Sequence, residues 1–69
     1  MVRKFRVNNT LKGRVEQELK LDVKRGSITF KRGDHRNVWV VEVDESKMRK
    51  MDVHYMNEVL LPKNREIKQ

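Results

Sequence analysis

The sequence predicts a single small all-β domain, and three observations predict it. From residue 15 to residue 23, Val15, Gln17, Leu19, Leu21 and Val23 alternate with Glu16, Glu18, Lys20 and Asp22, and Lys24 continues the charged set. A sustained period of two puts one face on a core and the other in water, as a half-buried strand requires. The run Val38-Trp39-Val40-Val41-Glu42-Val43 concentrates β-branched and aromatic side chains, which fit a pleated surface. Polar breaks at 8–10, 24–26 and 32–37 cut the chain into strand-length pieces.

Taken in order, the first strand is expected at 3–7, with Phe5 and Val7 on one face. Asn8-Asn9-Thr10 reads as a turn, since asparagine tolerates turn geometry. The long alternating strand at 15–23 follows, and Lys24-Arg25-Gly26 turns the chain. Ile28 and Phe30 then point one way, and Ser27, Thr29 and Lys31 the other. After the polar loop 32–37, Trp39, Val41 and Val43 form one face of the next strand. Val38 and Val40 extend its apolar character to the other face, as in a central strand covered on both sides.

Residues 44–61 admit two readings. As strands, Asp44-Glu45-Ser46-Lys47 is a hairpin loop, 51–55 a strand, Met56-Asn57-Glu58 a tight turn, and 59–61 a closing strand ended by Pro62. That loop lacks the glycine a tight hairpin prefers. As a helix, Met48, Met51, Tyr55 and Val59 share a face at spacings of three to four.

From Gly26 to Pro62 the chain resembles a small SH3-like barrel of the KOW or Tudor kind. The resemblance rests on Gly-Ser-Ile-Thr-Phe, a polar loop, Val-Trp-Val-Val-Glu-Val-Asp, a charged hairpin, and Met-Asp-Val-His-Tyr-Met-Asn-Glu-Val-Leu-Leu-Pro. It implies a five-stranded all-β barrel acting as a binding module without catalytic machinery, of a sort also found among phage and prophage proteins. The N-terminal part departs from that pattern, because 15–23 is a long alternating segment and the opening glycine cluster is missing. The alternative fold is a four-stranded antiparallel sheet with a C-terminal helix at about 46–60. Either way, residues 1–63 are expected to form one basic domain and 64–69 a polar C-terminal tail.

With 69 residues and no cysteine, the fold has no disulfide to staple it, and His35 and His54 are not spaced as zinc ligands. No apolar run approaches the ~20 residues of a membrane span, and no secretory signal opens the chain. A cytoplasmic location is the simplest expectation, with no cofactor, no metal and no small-molecule substrate. Catalysis finds no support. Ser27 and Ser46 stand outside any nucleophile motif, and the pairs Glu16/Glu18 and Glu42/Asp44 are of a kind solvated strand faces carry routinely.

The net charge of +7 is unevenly placed. Residues 1–37 hold eleven bases and four acids, whereas 38–69 hold six of each, so the whole excess lies in the first half. Such a field attracts a polyanion to one part of a molecule, and it also serves ordinary solubility. The expected nucleic-acid-binding set is Lys24, Arg25, Lys31, Arg32, His35 and Arg36 around one hairpin, with Lys12, Arg14 and Tyr55. The cations would meet phosphates, and Arg also forks bidentately to phosphate or guanine. Trp39 and Tyr55 are the rings able to stack on bases. Trp39 also reads as core, through its face shared with Val41 and Val43, which leaves Tyr55 as the expected exposed ring. DNA or RNA is thus the expected partner. The alternative is a small interaction module, or a phage-type regulator, that docks on an acidic surface of a partner protein.

Overall fold

In the computed structural model, residues 2–61 and 65–67 are described. Strand β1 (Val2–Asn8) buries Phe5 and Val7, as its alternation predicts. Asn8 then ends the strand and starts a helix, because its extended backbone lets the side-chain Oδ1 accept from the Leu11 N–H at 2.8 Å. Helix α1 (Asn9–Glu18) follows, and after an interruption at Leu19 comes the short α2 (Lys20–Lys24).

The strand expected at 15–23 is therefore helical. Leu11, Val15, Leu19 and Val23 are spaced by four and form a stripe against the core. Leu21, which a strand would have buried beside them, is 52% exposed. Lys, Glu, Gln and Arg between these positions are good helix formers. The pairs Lys12–Glu16 at 2.6 Å and Arg14–Glu18 at 3.0 Å brace successive turns.

Gly26, at φ +83°, makes the turn into β2 (Ile28–Arg32), a conformation that suits glycine. The loop after β2 returns the chain as β3 (Val38–Asp44). Gly33 closes that loop by donating to the Val38 carbonyl at 2.9 Å, and a Cβ there would lie 2.9 Å from the same oxygen. The sheet has three antiparallel strands in the order β1-β3-β2. Its register aligns Arg3, Phe5 and Val7 with Val43, Val41 and Trp39, and these with Ile28, Phe30 and Arg32. That face carries the core, formed with Val15, Leu19, Met56, Leu60 and Leu61. The opposite face presents Lys4, Arg6, Thr29, Lys31, Val40 and Glu42. Strand β3 is thus central in the sheet, but its buried side chains lie on one face.

After a 3₁₀ turn (Glu45–Lys47), the chain forms helix α3 (Lys50–Tyr55), which widens into a π-type turn (Met56–Leu60). The five-stranded all-β barrel is corrected to a mixed α/β fold with a three-stranded sheet. The alternative sheet of four strands is corrected too, although its C-terminal helix exists from Lys50 onward. The face expected of that helix packs only in part, through Met48 and Tyr55. Met51 is 72% and Val59 50% exposed, whereas Met56 and Leu60, four apart, are buried. Pro62, expected to end a closing strand, lies outside the described residues.

The described part of the C-terminal segment runs along the outer edge of β1. Glu66 pairs with Phe5, and the Ile67 N–H donates to the Lys4 carbonyl at 2.8 Å. Arg3 anchors this arrangement from the core face of β1. It donates to both carboxylate oxygens of Glu66 at 2.7 and 2.8 Å, to Asn57 at 2.7 Å and to Glu45 at 3.1 Å. Bonding to Glu66 raises its already high pKa further, so the guanidinium stays charged.

Candidate nucleic-acid interface

The register sets Trp39 beside Arg32 and Val7 at one end of the sheet. That end also carries the start of α1 and the loop between β2 and β3. Trp39 projects from the core face but lies at its rim and is half-buried. Its indole Nε1–H donates to Asn9 Oδ1 at 2.6 Å, and Asn9 Nδ2 donates to Asn37 Oδ1 at 3.1 Å. Two cations lie over the ring, Lys12 Nζ at 4.3 Å and the Arg32 guanidinium carbon at 4.6 Å from its centroid. Lys12 also lies 5.0 Å from the centroid of Phe30. The first turn of α1 contains no acidic side chain, so the positive end of the helix dipole adds to these charges.

Of the residues expected to bind, Lys12, Arg32, His35 and Arg36 gather at this end. Arg32 stacks on Trp39 and donates to the Arg36 carbonyl at 3.3 Å, and the exposed His35 and Arg36 belong to the adjoining loop. Lys24 and Arg25 precede β2 while Arg32 ends it, which separates them by at least the strand's length, about 13 Å at ~3.3 Å per residue. The two loops of the hairpin do not converge. Lys31 points to the opposite sheet face, where it pairs with Glu42 at 2.9 Å and holds that carboxyl below its ordinary range.

Arg14, on α1, and Tyr55, on α3, lie elsewhere. Two residues on from Lys12 is about 200° around a helix, so Arg14 takes the other flank. There it pairs with Glu18, which accepts the Tyr55 hydroxyl. That bond lowers the Glu18 pKa and raises that of Tyr55. Tyr55 packs against the core and ties α3 to α1, whereas the ring among cations is Trp39.

Sequence reasoning missed the Asn9–Trp39 link and the approach of Lys12 to the ring. The available signal was Asn8 as a cap, followed by Leu11, Val15 and Leu19, which together place Lys12 beside the apolar stripe of a helix. It also missed a carboxyl pair between α2 and α3. Asp22 is buried, and burial first and then its contact with the Asp52 carboxyl push its pKa up. Arg49 and Arg25 act against that rise.

Among the described residues no three His, Cys, Asp or Glu side chains group as a metal site, and no helix is long and apolar enough to cross a membrane. No protein-family model, no curated protein and no solved structure matches the chain.

Proposed function

We propose that this protein is a non-catalytic nucleic-acid-binding module of the cytoplasm, and that the cationic end of its sheet is the binding surface. The observation that carries the reading is the gathering of Lys12, Arg32 and Arg36 around Trp39 beside the start of α1. Neither Arg32 nor Arg36 has an acidic partner among the described residues, so both are available to phosphate. Affinity comes mainly from phosphate contacts, with limited sequence specificity.

The test is a titration of labelled DNA and of heparin by anisotropy at several salt concentrations. Affinity is expected to fall steeply with salt, with a log–log slope of about 0.7–0.9 per phosphate contacted. The double variant Arg32→Ala/Arg36→Ala should reduce that slope by about two contacts. Lys24→Ala/Arg25→Ala, at the other end of β2, should change it less. Absence of binding at low salt refutes the reading.

One observation favours docking on an acidic protein instead. Strand β2 lies at the edge of the sheet, and no further strand pairs with it among the described residues. Cations flank it on both sides. An acidic extended segment added to that edge would give a saturable complex with modest salt dependence.

A further inference from the structure

Resting on the nucleic-acid reading, we infer that the Trp39 face covered by Arg32 is a stacking platform for an unpaired base, so that this end of the molecule takes single-stranded nucleic acid. The ring is already held for such a role. Its N–H edge is pinned by Asn9, and Asn9 is in turn held by Asn37 across the loop. A ring fixed before binding loses little freedom when a base is laid on it.

The two cations over the ring are not equivalent. Lys12 is fixed: its side chain is 19% exposed, its ammonium lies 2.6 Å from Glu16, and it also sits over Phe30. Arg32 is exposed and has no carboxylate partner among the described residues. Among the described residues its guanidinium makes one hydrogen bond, the 3.3 Å contact to the Arg36 carbonyl. Arg32 is therefore the displaceable cover. A cation over an aromatic at an exposed site is held weakly compared with base–aromatic stacking. When a base takes the ring, the freed planar guanidinium meets the phosphate next to that base, where its fork matches the oxygens. Lys12 and Arg36 remain to contact the neighbouring phosphates. A base inside a duplex has both faces stacked and cannot use this platform, which is what selects the single strand.

The experiment uses the full chain, whose one tryptophan is its own reporter. A single-stranded oligonucleotide of about 15 nucleotides, its duplex, and heparin are each titrated at matched salt, following both anisotropy of the labelled probe and Trp39 emission. The single strand is expected to bind more tightly than the duplex and to quench Trp39, whereas duplex and heparin bind without quenching. Trp39→Leu is expected to weaken single-strand binding by about 10- to 100-fold, the range of one base–aromatic stack, and to weaken heparin binding, which needs cations and no ring, far less. Trp39→Phe, which keeps a ring, should retain most of the affinity. Equal binding of strand and duplex with Trp39 emission unmoved overturns the inference and leaves the broader reading standing. Absence of binding to all three probes at low salt overturns both. The emission of the unaltered chain decides the matter even where Trp39→Leu fails to fold, as circular dichroism would reveal.

Discussion

Replacing Arg3 by methionine keeps an unbranched apolar stem and removes the guanidinium that joins four parts of the chain. The variant loses two bonds to Glu66, one to Glu45 and one to Asn57, together with the cation 4.8 Å from the Phe5 ring centroid. It also removes the cation that Glu45 and Glu66 share. A fully exposed ion pair contributes about 0–1 kcal/mol, and removing one partner of a fully buried pair costs about 3–5 kcal/mol. The Arg3 side chain is 20% exposed and those of Glu45 and Glu66 are each 29% exposed, so the cluster lies between these limits and nearer the second. A loss of about 2–3 kcal/mol is expected. In a domain of this size, 1 kcal/mol moves the melting temperature by about 4–8 °C, so Tm should fall by about 10–20 °C. Thermal and urea unfolding followed by far-UV circular dichroism at neutral pH measure it. A double-mutant cycle with Glu66→Gln should return a coupling of about 1 kcal/mol or more. A loss below about 0.5 kcal/mol, or strictly additive single effects, would refute the view that Arg3 fastens the C-terminal segment to β1.

Leu19→Ala should cost about 2–5 kcal/mol, whereas Leu21→Ala should stay within about 0.5 kcal/mol. Urea midpoints of the two variants read the helical register directly, and equal losses would contradict it. Asp22→Asn should be more stable than the unaltered chain at pH 7, because burial and the Asp52 carboxyl disfavour the Asp22 carboxylate. Its folded pKa is raised, so the protonated form stabilises the fold fully below the unfolded pKa of about 3.9, and that stabilisation is lost as pH rises through the folded value. The gap between variant and parent should therefore close as pH falls towards about 3.5, as urea unfolding at the two pH values would show, and a gap that stays constant would count against the buried pair.

Much of the sheet was legible because strands announce themselves through near neighbours. Phe5 with Val7, Ile28 with Phe30, and Val41 with Val43 each need only a residue two places away to define a face. The helices were misread for an arithmetical reason. Leu11, Val15, Leu19 and Val23 are four apart, and a period of four is also a multiple of two, so one stripe satisfies both patterns. Leu21 tipped that reading towards a strand, although it faces solvent. Asn8 read as a turn residue, whereas its side chain caps α1. The cation set was legible as composition only, since a list of bases does not show which of them share an end of the sheet.

By itself, the sequence determined the lack of cysteine, the excess of charge in its first half, and the buried faces of β1 and β3. Those are properties of composition or of residues two apart. Tertiary structure alone decided that residues 9–24 are helical, because the choice depends on which face of that segment the sheet receives. It also decided which cations act together. Lys12 and Trp39 are 27 positions apart and meet only because α1 packs across a strand that pairs with both β1 and β2. Lys31 and Arg32 are adjacent in the chain, and the pleat of β2 sends them to opposite faces.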